Sequence, residues 1–319
     1  MEEHQLYAII DGALEADLQL MLERFNPPHC CLYADPVQPE LLELAPWLVM
    51  VDQQIEAWLE TRDTPWGIYL YSKVNIKSLR QHLRKYLHVL IPDQEKPVYF
   101  RFYDPRNIWD FLQVLSDWDV HTFLGPIEKV RTSYEAVKRE DDFSAIRAPY
   151  PDDAKAGRKM LKISEVQYGE INALAEIRYI NVLASDVELY WLSKHGDIVE
   201  DEGDGVLKRI HEGTYFNVKD KVSTITMSKD MSNFDKKDAY YFARECFYFC
   251  KGNAINDDHS IRAMVHLLLK RNIFPIDTMP NEWKIQLTEN QVPGYYRVES
   301  LMLRELGEIP DVAHLIKGR

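Results

Sequence analysis

Between positions 97 and 106 the chain reads Pro-Val-Tyr-Phe-Arg-Phe-Tyr-Asp-Pro-Arg, an alternating aromatic strand that runs straight into a helix-start signal. Strand side chains alternate between faces, so Phe100 and Phe102 are predicted to point one way and Tyr99, Arg101 and Tyr103 the other. Asp104 is predicted to cap the next helix, its carboxylate accepting from orphan backbone N–H groups. Pro105, with no N–H and φ near the helical value, suits the first helical position. Ile108, Phe111, Leu112 and Leu115 then recur at helical spacing. A strand that turns directly into a helix restricts its surroundings to a class mixing sheet with helix.

The residues before it agree. Short apolar runs at 6–10, 30–33, 47–51 and 66–71 read as strands, and 14–25 and 53–61 as helices between them. Ile76, Leu79, Leu83 and Leu87 mark one face of a further helix, and 92–97, with a proline at each end, reads as a tight turn that makes the sheet mixed. Residues 120–124 read as a strand holding a lone His121. From about 131 to 160 the chain is charged and weakly periodic, a linker or an exposed hairpin, with mobility expected in its acidic, proline-linked stretches.

The remainder reads as helical. Ser164 and Gln167 form a capping box. Leu174, Ile177, Ile180, Ala184, Val187 and Trp191 then recur every three or four residues as the spine of a second lobe. Residues 237–250 and 260–270 supply two more helices, the latter entered through Asp257 and Asp258. Residues 200–205 read as a surface loop, and 278–319, interrupted by Pro280, Pro293 and Pro310, as weakly helical. The expected fold class is therefore α+β in two lobes: an α/β domain with a mixed sheet over 1–130, a linker or hairpin over 131–160, and a helical lobe over 161–319.

The chain has 319 residues, 46% of them hydrophobic, enough for one large core or two modest ones. Its longest strongly apolar run, 44–51, falls far short of the ~20 residues that span a bilayer, so no membrane insertion is expected. The start, Met-Glu-Glu-His, is acidic, unlike a secretory signal. Four cysteines in a chain of this length make no disulfide framework, and a cytoplasmic setting is expected. The net charge of −13 argues against nucleic acid as a partner. Residues 1–130 hold 11 Lys/Arg against 20 Asp/Glu, so acidity gathers in the first lobe. That serves solubility, or steers a basic protein surface toward it.

Several constellations resemble active chemistry. Asp11, Asp35 and Asp52 each follow a strand-like run, where α/β enzymes place metal or phosphoryl-transfer groups. Capping by Asp11 and Asp52, and a turn at Asp35-Pro36, explain each residue separately. Cys246 and Cys250 are spaced for metal chelation, but they share a face with Ala239, Phe242 and Phe249 and read as core. Of Cys30 and Cys31, in a strand-like run, only one can point inward. The stretch 202–208 lacks the glycine before its lysine and the following Ser or Thr of a phosphate loop. No His-Glu-x-x-His pair and no Gly-x-Ser-x-Gly elbow occurs. No catalytic, cofactor or metal site is assigned.

One surface stands out as a candidate for protein binding. Tyr241, Arg244 and Tyr248 lie opposite the apolar stripe of the 237–250 helix, a combination enriched at binding hot spots. Packing against a neighbouring helix is the competing explanation.

Five blocks also carry a family resemblance: Tyr7-Ala8-Ile9-Ile10-Asp11-Gly12, Ala45-Pro46-Trp47-Leu48-Val49, Trp66-Gly67-Ile68, the 97–106 block, and Phe123-Leu124-Gly125-Pro126-Ile127. In order and spacing, over roughly residues 6–130, they resemble the domain of type VI secretion effector adaptors. The resemblance implies a non-catalytic chaperone without a cofactor. Such a protein holds a secreted effector as client and helps dock it onto a spike protein of the valine-glycine repeat type. It implies scaffold roles for Asp11, Gly12, Pro46, Trp47, Trp66, Arg101, Asp104, Pro105, Gly125 and Pro126. Beyond 130 it is looser. Two other classes remain open: a metal-dependent hydrolase using the strand-end aspartates, and a structural component of the secretion apparatus.

Overall fold

A computed structural model of the chain describes residues 4–34, 36–135, 137–151, 160–195 and 236–312. Asp35, the acidic residues 152 and 153 and the loop expected at 200–205 lie outside the described residues. The chain divides into two compact units, Met1–Ala175 and Glu176–Arg319, with the division inside one helix.

The first unit is built on a six-stranded sheet in the order β2-β3-β1-β4-β7-β8. Its strands are β1 (Gln5–Asp11), β2 (His29–Cys31), β3 (Pro46–Met50), β4 (Gly67–Ser72), β7 (Ile127–Tyr134) and β8 (Val137–Asp141). Two short strands, β5 (His88–Val89) and β6 (Val98–Tyr99), pair separately across the turn expected at 92–97. Every ladder of the large sheet is antiparallel. The expected mixture of strand directions is confined to one isolated parallel bridge, Leu90 with Lys162.

Alternation along β1 serves both faces of the sheet. Ala8 and Ile10 pack with α1 (Leu18–Phe25) and α3 (Gln53–Glu60) through Leu18, Met21, Ile55 and Leu59. Tyr7 and Ile9 face a larger core with α4 (Ile76–Leu83), α5 (Ile108–Val114) and α6 (Asp117–Leu124). Between β2 and β3 stands the short α2 (Pro39–Leu42). After β8 come α7 (Ser144–Arg147) and α8 (Glu165–His195). The stretch expected as a linker or hairpin thus contributes a hairpin, β7–β8, that extends the sheet. Phe143, Ile163 and Ile171 complete the larger core, which is why the unit continues past the expected boundary at 130.

Three readings of this unit are corrected. Residues 120–124 are the end of α6, not a strand: Ser116 accepts from the Asp119 backbone N–H at 3.2 Å and starts a helix whose last turns are buried. The first helix begins at Leu18 rather than 14, because the Asp11 carbonyl accepts from the N–H groups of Leu14 and Glu15 and holds them in a turn. The aromatic strand ends at Tyr99, beyond which Phe102 and Tyr103 are adjacent yet both buried.

In the second unit, α8 packs Ile180, Leu183, Ala184 and Val187 with α9 (Lys236–Gly252), α10 (Asp258–Lys270), α11 (Asn281–Thr288) and α12 (Gly294–Leu306). Asp257 caps α10, accepting from the Ser260 N–H at 2.8 Å. Between 281 and 306 the chain forms two regular helices rather than a weakly helical tail. Pro280 and Pro293 stand at their N-caps, where a missing N–H costs nothing, and Gly307 closes α12 at φ 78°. Among the described residues no helix is long and apolar enough to cross a membrane.

Candidate functional site

Four of the five sequence blocks meet at one end of the first unit's sheet. Asp11 ends β1 opposite Pro46, and its N–H donates to the Trp66 carbonyl at 2.7 Å. Gly12 donates to the Ala45 carbonyl at 3.0 Å. A Cβ at position 12 would overlap the Glu43 carbonyl oxygen and sit 2.8 Å from that of Ala45, so only glycine lets the strands close here. Trp47 donates from Nε1 to the Leu42 carbonyl at 3.2 Å. Trp66 is buried edge-on against Tyr69, with ring centres 5.0 Å apart.

Onto this corner the 97–106 block brings its charges. Arg101 donates from Nη2 to the buried carboxylate of Asp11, ninety positions earlier, whose other oxygen accepts from the Ala13 N–H. Burial pushes the Asp11 carboxyl up, and the Arg101 guanidinium pulls it back. Burial likewise opposes the charge on Arg101, and Asp11, with Tyr103 and Asp104, more than offsets it. With a permanently charged guanidinium the two form an ion pair. Asp11 therefore tethers a distant segment and does not cap a helix.

Asp104, also buried, is gripped at two points by Arg106, through Nε at 2.9 Å and Nη2 at 2.7 Å, and accepts from the Arg106 backbone N–H. It closes a turn containing Pro105, and α5 starts three residues later than a cap at 104 would place it. The sequence reading missed that the guanidinium fork two residues on outcompetes the helix N–H groups for this carboxylate. Beside the pair, the Tyr99 and Tyr103 hydroxyls share a hydrogen bond of 2.8 Å. Burial pushes both phenols far above their ordinary value.

The fifth block lies at the opposite end of β4. Ser72 donates to the Pro126 carbonyl at 2.7 Å, and Arg147 to those of Gly125 and Ile127. Gly125, at φ 48°, lies against the His82 ring, whose Nε2 is 2.6 Å from the Phe123 carbonyl oxygen. No spacing signal pointed to His82 or Arg147. His121 is buried in α6, with Nε2 3.2 Å from the Pro151 carbonyl.

Asp52 caps α3, accepting from the N–H groups of Gln54 and Ile55 at 3.0 and 2.9 Å. Asp11 and Asp52 are thus both engaged, Asp11 by a distant arginine and Asp52 by the first turn of its own helix. Among the described residues, no three or more His, Cys, Asp and Glu side chains converge as a metal site would require. Cys246 and Cys250 are buried, and burial pushes the Cys250 thiol up to about 12 and that of Cys246 well above its ordinary value. Cys31 is buried and Cys30 half-buried, its thiol pushed up to about 11 by burial.

In the second unit, α9 turns Ala239, Phe242, Ala243 and Cys246 inward. Tyr248 is 45% exposed, with the Arg244 guanidinium 5.8 Å from its ring centre, and Tyr241 is half-buried beside Tyr240. Two arginines unremarked in the sequence hold this unit. Arg262 bonds Asp186 on α8 at 2.5 Å and Asp258 on its own helix at 2.8 Å. Arg297, buried, donates to the Leu287 carbonyl and, at 2.5 Å, to that of Asn253.

An antiparallel sheet covered by helices on both faces, with ion pairs locking its corner, defines the first unit as an α+β domain. The model of a family described as a domain of unknown function, DUF4123, matches residues 6–122. That span takes in the corner and ends inside α6. No curated protein and no solved structure matches the chain.

Proposed function

We propose that the chain is a non-catalytic adaptor of a type VI secretion system, acting in the cytoplasm. It binds a secreted effector, keeps it soluble and helps load it onto the valine-glycine repeat spike. The observation that carries this reading is the match of residues 6–122 to the DUF4123 model, which takes in four of the five blocks that resemble effector adaptors. The engagement of Asp11 by Arg101, and of Asp52 by the first turn of α3, supports binding over turnover, since both carboxylates serve the fold. The client-binding surface in this reading is the α9 face of Tyr241, Arg244 and Tyr248, whose aromatic area and guanidinium suit a groove-type contact with a helical segment. A standard interface of ~1,600 Å² suffices for such a contact. Adaptor at a hundredfold over Kd stabilises its client by ~3 kcal/mol.

Affinity purification with the adjacent secreted protein co-expressed tests this directly. Recovery of a small stoichiometric complex is expected, with the double variant Tyr241→Ala/Tyr248→Ala folded but poor in client. Full recovery with that variant removes the α9 surface from the reading. Assembly of the chain alone into large symmetric species, or turnover abolished by Asp52→Asn, overturns the reading itself.

A further inference from the structure

The segment between β2 and β3 carries a helix, α2, that buries none of its side chains. Leu41 and Leu44 are 45% and 52% exposed. They stand three positions apart on a turn whose backbone stays helical through Glu43, so they share one side. Glu40 and Glu43 repeat that spacing one position earlier and form an adjoining exposed stripe. Neither carboxylate has an ion-pair partner among the described residues. The turn is nevertheless held firmly, through its backbone: Trp47 grips the Leu42 carbonyl, Gly12 the Ala45 carbonyl, and the Glu43 carbonyl fills the space a side chain at 12 would take. The demand for glycine and tryptophan at this corner thus ends in two displayed leucines edged by two displayed carboxylates.

Such a stripe selects its occupant by charge. An anionic or purely apolar segment would desolvate Glu40 and Glu43 without pairing them. A second copy of this chain would set like charges against each other, on a molecule already at −13. We propose that the α2 turn is a docking point for a cationic, apolar-bearing segment of a partner protein. It is separate from the α9 face and does not rest on the adaptor reading.

Fluorescence anisotropy with the full chain and a labelled amphipathic lysine–leucine peptide tests it, alongside peptides with every lysine changed to glutamate or every leucine to serine. The lysine–leucine probe is expected to bind and both counterparts to fail. The double variant Leu41→Ser/Leu44→Ser should weaken binding about tenfold or more. Glu40→Gln/Glu43→Gln should weaken it and flatten its salt dependence. Leu20→Ser, which removes a leucine 65% exposed on α1, should change nothing. All four positions are exposed, and unchanged thermal melts verify the fold. Binding that survives both double variants, equal loss with Leu20→Ser, or equal binding of the lysine–serine probe overturns the proposal. So does self-association that Leu41→Ser/Leu44→Ser abolishes.

Discussion

His82 shows how one side chain ties local geometry to solution behaviour. Its Nε2 is 2.6 Å from the Phe123 carbonyl oxygen, and its ring lies against Gly125, whose φ of 48° is one that β-carbon residues rarely adopt. Burial lowers its pKa from 6.5 to about 4, the Phe123 carbonyl opposing and Lys85 adding to the drop. The unfolded chain therefore binds this proton more readily than the folded one. Its contribution is fully present above pH 6.5 and is lost as pH falls toward about 4. The loss from this group should reach about 2 kcal/mol by roughly pH 5. Urea unfolding measured between those values checks it: the stability of His82→Gln should fall by correspondingly less over the same interval, and an identical slope for both chains would remove His82 as the source.

At the scale of single elements, α3 gives the cleanest case. Asp52 accepts from two N–H groups of the first turn, so Asp52→Ala should cost about 1 kcal/mol of stability while Asp52→Ser keeps most of it. Equal losses in chemical denaturation would argue against capping. Elements of this kind were legible because their signals are local. The Ser164–Gln167 capping box closes as read, with the Gln167 N–H 3.3 Å from the Ser164 hydroxyl and its side-chain oxygen 2.9 Å from the Ser164 N–H. What sequence could not resolve were contests settled by distant partners. The buried run 120–124 has the apolar content of a strand or a helix alike, and only its cap and its packing decide. Pro280 and Pro293 look like interruptions until the helices they begin are seen. The corner was half legible: an acid partner for Arg101 was foreseeable, but not that it would be Asp11, because strand order cannot be deduced from one sequence. β8 shows the same limit. Its five residues are all exposed, yet it is a sheet strand because β7 offers it a complete ladder.

For the molecule as a whole, the organising fact is that, among the described residues, its interiors are closed sets. The two clusters of the first unit use no residue beyond Ile171, and the cluster of the second begins at Tyr179. A fragment ending at Ala175 is therefore expected to fold alone and unfold cooperatively, because every described residue of its cores is retained. Calorimetry on that fragment checks this: one sharp transition is expected, and a broad or absent one would show that the second unit is needed to complete the first.

Independence of this sort has a consequence for how such chains can diversify. Since, among the described residues, neither interior includes a side chain of the other, a recombination event falling within α8 exchanges the second core as a set. A new second unit can then be acquired wholesale while the half bearing the Asp11–Arg101 lock is inherited intact.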